Sequence, residues 1–317
     1  MLAALRTALV TILLFAGGCS ISDSRSSVPL DWQPIDSINR RLPRGIRVYA
    51  GNNRILPLRA WYVRIVEHDP AILTRVAMSD DTDGRETVES FAADSGVCVV
   101  VNGGYFVTDV IPAVHAGLLL VDDRLVAPAT RRVERQSRTY ETARAALGFT
   151  LDDRVEIAWA TSRGDSVFSI DTVPANAPGR PADWSAAEIA ARPWHVRDAV
   201  AAGPMLVQNG AIDITTNQEV FFDSSIPAVH PRTAAGVTRN GDLLLLVVDG
   251  RQVESRGVSL EELAVIMHDL GAVRALNLDG GGSSTLVVNG VLLNRPTGDT
   301  RQREVMSALV TYCNPRR

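Results

Sequence analysis

From about Gly45 onward, apolar positions recur mostly with a period of two. WYVRIV at 61–66 alternates and is rich in aromatic and β-branched side chains, the pattern of a half-buried strand. VCVVV at 97–101 is an uninterrupted apolar run, as expected for a strand covered on both faces. GLLLVDDRLV, LGFTLDDRVEIAWA, AGPMLVQNGAI, GVTRNGDLLLLVVDG and STLVVNGVLL read as hairpins. Their hinges are Asp-Asp or Asn-Gly, and Asn-Gly readily supplies the left-handed residues of a tight turn. VMSALVTYC adds a late strand.

The period shifts to that of a helix once with full signals. Ser259 can cap, and Glu262 completes a capping box. Leu260, Leu263, Ala264, Met267 and Leu270 then share a face, and Gly271 ends the run. A second helix is expected near 86–95, where Thr87, Val88, Phe91 and Ala92 fall between charges. A third is expected at 185–192 (SAAEIAAR), after PANAPGRPADW, which reads as a surface insertion. The expected fold is a mixed α+β single domain: a strand-rich central sheet with a few packed helices.

Composition narrows the function classes. Net charge is −4, with 32 basic and 36 acidic side chains and no basic block, which argues against a nucleic-acid partner. Lysine is absent, so every basic side chain except histidine is an arginine able to grip a carboxylate or phosphate with two prongs. The opening MLAALRTALVTILLFAGGC is too short for a comfortable membrane span. It reads as an export signal over 1–18, ending in lipoprotein fashion at a lipidated Cys19. Residues 19–44 are polar without a steady apolar period and read as a flexible tether, leaving 45–317 as the functional domain. Cys98 and Cys313 lie in apolar runs. An exported chain permits a bridge, but spacing cannot pair them, and two buried thiols are the expectation.

Polar residues gather at the ends of apolar runs. NLDGGGSST (277–285) has neither the lysine nor the following helix of a nucleotide loop. It reads instead as a turn whose bare N–H groups form an anion nest. Gly280, Gly281 and Gly282 supply the backbone; Ser283, Ser284 and Thr285 supply hydroxyls; Asp279 supplies a carboxylate. VNGGYF carries Asn102, Gly103, Gly104 and Tyr105; HPRTAAG carries His230, Arg232 and Thr233; VVDGR carries Asp249 and Arg251. Strand ends are the usual place for a site on a sheet. No GxSxG, HExxH or CxxC occurs, and no cofactor or metal is expected, although Asp249 and Asp279 could share a cation.

Together these segments resemble the phosphodiester glycosidases. NGGYF, AAGPMLVQNG, HPRTAAGVTRNGDLLLLVVDGR, SLEELAVIMHDLGAVRALNLDGGGSSTLVVNG and LNRP followed by RQREVMSALV stand in the family's order, from about Trp61 to Thr311. Ala235 stands where family members often carry isoleucine, and the insertion around 171–198 lies outside the motifs. The resemblance implies cleavage of the C1–O bond of a sugar-1-phosphodiester, releasing free sugar and a phosphomonoester. Asp249, Asp279 and Arg232 become the catalytic candidates, with Arg303 and Glu304 completing the wall. A sugar-phosphate or envelope glycopolymer is the expected substrate, and the lipid anchor the expected tie to a membrane. A non-catalytic glycan- or phosphate-binding lipoprotein and a phosphodiesterase cutting P–O are the rival readings.

Overall fold

A computed structural model describes residues 28–53, 55–185, 189–296 and 301–314. The export signal and Cys19 lie outside the described residues. Three antiparallel sheets make the body. The eight-stranded sheet runs, edge to edge, Asp31–Pro34, Ile46–Asn52, Arg59–Ile65, Leu243–Val248, Arg232–Thr238, Ala272–Asn277, Met205–Gln208 and Ala211–Ile212. A seven-stranded sheet includes Arg144–Thr150, Val155–Arg163 and Val196–Ala201, and a five-stranded sheet has Val97–Asn102 at its centre.

The period of two explains how the layers stack. Along Leu243–Val248, residues 243, 245 and 247 face an apolar cluster shared with the other sheets, where they meet Val99, Val101, Leu147 and Ile157. Residues 244, 246 and 248 face the opposite way, onto Leu263, Ala264 and Met267 of the helix Leu260–Asp269. A strand apolar at every position is thus covered on both faces. Burying each such leucine contributes roughly 1.5–3 kcal/mol. Val97–Asn102 repeats the logic: Val99 and Val101 enter the shared cluster, and Val100 meets Val88 and Phe91 behind the sheet.

The hairpin readings hold, and the hinges show why. Asp122 and Asp123 have φ +49° and +59°, Asn209 and Gly210 +49° and +76°, and Asn289 and Gly290 +49° and +70°. Two successive left-handed residues match the twist of the flanking strands. The capping box is present: Ser259 Oγ accepts from Glu262 N, and Glu262 Oε2 accepts from Ser259 N.

Four expectations change. Strands dominate as expected, but among the described residues only Leu260–Asp269 exceeds one helical turn, so the fold is mostly β, with less helix than the strand-rich α+β expectation. The helix expected near 86–95 is the single turn Val88–Phe91, capped by Thr87. In the expected 185–192 helix, residues 186–188 lie outside the described residues, and Ala191–Pro193 is a strand paired to Ser166–Ile170. Sheet pairing there overrides alanine's helix preference. Within the expected 19–44 tether, Val28 is buried beside the helix Leu260–Asp269. Asp31–Pro34 pairs with Ile46–Asn52, and Trp32 meets Tyr62 edge-on at 4.8 Å. Two exposed faces on a short edge strand look polar in sequence while one tryptophan anchors it.

Cys98 and Cys313 form a disulfide across neighbouring strands, with Cα atoms 5.8 Å apart. This corrects the expectation of two free thiols. The strand register, which places Tyr312 opposite Val97, brings them together.

Candidate active site

Three strand ends converge at Asn102, which closes Val97–Asn102 and is fully buried. Its Nδ2 donates to the Asp279 carbonyl at 2.7 Å. Its Oδ1 accepts from Thr233 Oγ1 at 2.7 Å and from Thr285 N at 3.2 Å. One amide therefore staples the five-stranded sheet to the 232–238 strand and to both ends of the glycine loop. Asn102 and Thr233 build the site rather than face a ligand.

The neighbouring glycines are needed for close approach. A Cβ on Gly104 would stand 2.2 Å from the Ala201 carbonyl and 2.7 Å from His115 Nε2. Gly103 bonds through its N–H to Ser307 O and through its carbonyl to Asp279 N, so the NGG run packs strand against loop. Tyr105 then projects into the site: its hydroxyl donates to Gly203 O at 2.9 Å and accepts from Asn277 Nδ2 at 2.7 Å.

The 279–285 loop departs from the expected nest. Most of its amides are already committed: Gly280 N to Asp279 Oδ1, Gly281 N to Pro231 O, Ser283 N to Gly280 O, Ser284 N to Gly281 O, and Thr285 N to Asn102, leaving Gly282 N without a hydrogen bond among the described residues. Gly281–Ser283 is a 3₁₀ turn that buries Gly282 and needs Gly281 at φ +63°. The hydroxyls remain free as well. Ser283, Ser284 and Thr285 are all buried, and none of their side-chain oxygens has a hydrogen-bond partner among the described residues. Buried polar groups normally find partners, so three adjacent exceptions need a reason.

Asp279 lies beside them. Burial pushes its carboxyl up to about 6, against the opposing pull of the nearby Ser283 hydroxyl, the positive Arg303 and the Gly280 N–H. The Ser283 hydroxyl is close enough to favour the carboxylate but does not reach hydrogen-bonding geometry. The residue as a whole remains partly exposed. Near neutral pH Asp279 is thus mostly ionised yet able to take up a proton.

Asp249 is placed differently. Its carboxylate is buried and accepts from Asn294 Nδ2 at 3.0 Å and from Arg295 N at 3.0 and 3.2 Å. Asn294 also donates to Ser284 O and accepts from Leu286 N. Asp249 therefore ties the LNRP segment to the back of the glycine loop. Burial raises its pKa, with Asn294 and the Arg295 N–H opposing.

Arg232 is buried and spends its guanidinium on carbonyls: Nε on Val258, and Nη2 on Ile226 and Ala228. No carboxylate lies within ion-pairing distance of it among the described residues, and burial lowers its pKa to about 10. Arg251 is exposed above Gly281 and donates to His230 Nδ1 at 3.1 Å. His230 Nε2 then faces Ser225 O at 2.8 Å, so the ring carries its hydrogen there and is neutral. Burial first, and the two arginines after it, push His230 down.

Arg303 and Glu304 are exposed and line a surface hollow of about 600 Å³ with Thr87. Arg303's charge reaches Asp279; among the described residues Glu304 forms no hydrogen bond or ion pair with the cluster. A hollow of about 730 Å³ lined by Leu73, Arg75, Asp122 and Tyr312 includes none of these residues.

Sequence reasoning missed Asn277, Arg144, Glu219, Phe221 and Asn294. Asn277 donates to Tyr105, Gly203 O and Leu278 O, and its place as a polar residue inside the run ALNL was a usable signal. Glu219 sits in the polar stretch TTNQEV, where nothing marks it as buried.

Fold and site together define a β-rich protein in which one carboxylate of raised pKa lies beside bare hydroxyls and near arginines that form no ion pair among the described residues. Residues 95–312 match the family model described as phosphodiester glycosidase, and the chain belongs to that family. It is 41% identical over 101 residues to N-acetylglucosamine-1-phosphodiester alpha-N-acetylglucosaminidase of Bos taurus, covering 29% of this chain and 19% of that protein. The Homo sapiens protein of the same name is 39% identical over 101 residues, with the same coverage. The chain thus aligns with under a fifth of the length of these curated relatives. The zebrafish catalytic domain of that name, auto-inhibited by its pro-peptide, superposes with TM-score 0.58 at 21% identity, covering 92% of each chain. A Synechocystis structure superposes with TM-score 0.59 at 20% identity, over 85% of this chain and 62% of that one.

Proposed function

We propose that this protein hydrolyses a sugar-1-phosphodiester at the C1–O bond. The observation that carries the reading is Asp279 held near neutral titration beside three buried, unpartnered hydroxyls. Family membership supports the same chemistry. Water adds at C1, the C1–O bond breaks, and the electron pair leaves on the phosphate oxygen. Such a leaving group needs little protonation, so the demand falls on activating water and on stabilising a positive ring. Asp279 takes the water's proton, and its negative charge supports the oxocarbenium-like transition state. Ser283, Ser284 and Thr285 supply hydrogen bonds to substrate oxygens, while Asp249, Asn102 and Arg232 hold the loops in place.

Product analysis tests this. Incubation in ¹⁸O-labelled water with a methyl diester of N-acetylglucosamine 1-phosphate, a probe suggested by the relatives' names, is expected to yield free sugar and methyl phosphate that carries no label. Label in the methyl phosphate, or release of sugar 1-phosphate and methanol, would identify P–O cleavage instead. Binding without any product, across a panel of sugars, would leave only the non-catalytic reading.

The same proposal places the protein on the outer side of a bacterial membrane, held by a lipid on Cys19. Its support is the AGGC ending of the apolar leader. Cys19→Ala is expected to move the protein from the membrane fraction to the soluble fraction on cell breakage. Unchanged fractionation would remove the anchor.

A further inference from the structure

Arg232 is the arginine the motifs single out for phosphate, yet its Nε and Nη2 are already donating to three carbonyls. Arg144, outside every motif, is in the opposite condition. It opens the strand Arg144–Thr150 and is half-buried, with its guanidinium carbon 3.7 Å from the centre of the Phe221 ring. Phe221 in turn lies 6.0 Å from the Tyr105 ring, and the Arg144 charge is felt at the Tyr105 hydroxyl together with those of Asp279 and Arg232. Arg144 therefore stands on the seven-stranded sheet close enough to Tyr105, beside the Asp279 loop, for its charge to be felt there.

Its guanidinium makes no hydrogen bond and no ion pair among the described residues. The reason is that the one nearby carboxylate is already occupied. Glu219 accepts from Trp159 Nε1 at 3.0 Å, Met205 N at 2.8 Å, Thr215 Oγ1 at 2.5 Å and Ala145 N at 2.9 Å. Four donors anchor it in the core, beyond ion-pair reach of Arg144. Glu219 favours the charge on Arg144 at a distance without blocking its N–H groups. The guanidinium lies over the face of Phe221, and a guanidinium held on an aromatic face by this cation–π contact keeps N–H donors available. Arg135 adds positive charge nearby, and its own Nε is buried without a partner.

We propose that Arg144 is the residue that grips the substrate's phosphate, with Phe221 and Glu219 as the groups that hold it ready. The inference rests on the proposed sugar-phosphodiester reading for its substrate. Its ligand chemistry, a tetrahedral oxyanion bound in two-pronged fashion, stands on the geometry alone.

The test uses the full chain and two probes. Inorganic phosphate binding is measured by calorimetry, and turnover is followed on the methyl diester. Arg144→Gln is expected to weaken phosphate binding at least tenfold and to raise KM by a similar factor. Arg144→Lys, which keeps the charge and loses the fork, is expected to fall between Gln and wild type. Phe221→Leu leaves the arginine in place but frees its plane, and is expected to weaken phosphate severalfold; it also serves if Arg144→Gln does not fold. Wild-type phosphate affinity in a folded Arg144→Gln variant would overturn the inference. So would a wild type that binds no phosphate. Loss of phosphate binding in Arg144→Gln, with a wild type silent on every sugar phosphodiester, would uphold the Arg144 inference and remove the glycosidase reading.

Discussion

Asp279→Asn is expected to lower kcat/KM on a sugar-1-phosphodiester by about 10²–10⁴-fold, the usual worth of a positioned general base. Asparagine keeps the oxygen that accepts from Gly280 N, so the 3₁₀ turn survives. What it loses is the ability to take a proton. The pH profile gives an independent readout. With its carboxyl raised to about 6, Asp279 is ionised above that pH and protonated below it. Wild-type kcat/KM should therefore decline as pH falls through about 6. The stability effect runs the other way. The unfolded carboxyl ionises at lower pH than the folded one, so folding is penalised as pH rises from about 4 to about 6, and the penalty stays in force above that. Asp279→Asn removes it, so the inactive variant should unfold at no lower temperature than the wild type at pH 7. A variant that keeps wild-type turnover would show that another group activates the water.

Removing the disulfide is expected to cost about 2–5 kcal/mol of stability, measured by urea unfolding of Cys98→Ser/Cys313→Ser or of the reduced protein. The bridge closes a loop of 215 residues, and long loops lose the most freedom on closure. Cys98 stands four residues before Asn102 on one strand, so the site should loosen along with the sheet. Equal unfolding midpoints with and without the bridge would show that strand pairing alone holds these ends. The bridge also accords with an oxidising compartment, as the proposed export requires.

Elements whose signal is local were legible in the sequence. Asn209-Gly210 and Asn289-Gly290 announce their hairpins because few residues adopt two left-handed conformations in succession. Ser259 and Glu262 announce the helix because both partners of the capping box lie within one turn. Signals that depend on distant partners were lost. Trp32 looks like part of a polar tether until Tyr62 is beside it. Cys98 and Cys313 are two separate apolar runs until strand register aligns them. Within the site, the motifs named the right loops but not the division of labour inside them. Asp249 and Asp279 both end apolar runs before a glycine, yet Asn294 and Arg295 occupy one while the other remains partly exposed. Likewise Arg232 and Arg144 look alike as isolated cations. Only the carbonyls of the 226–228 segment and the ring of Phe221 tell the committed arginine from the available one.

The Cys98–Cys313 bond divides the described chain into a covalent ring and an arm. Asn102, Arg144, Glu219, Arg232, Asp249, Asp279 and Arg303 all belong to the ring. The arm, residues 28–97 with the strands Asp31–Pro34, Ile46–Asn52, Arg59–Ile65 and Ile72–Met78, is attached through backbone on one side only, though it pairs with Leu243–Val248 and Ser307–Cys313 inside the sheets. A single backbone cut within the ring, for example in the 171–185 segment, opens the ring but leaves its two fragments joined through the disulfide, so no site residue is separated from another. A cut within the arm divides the molecule into two pieces joined only by packing and hydrogen bonds. Asp279 and both arginines thus stay on one covalently joined unit after a single cut in the ring, while the arm has no such second tie.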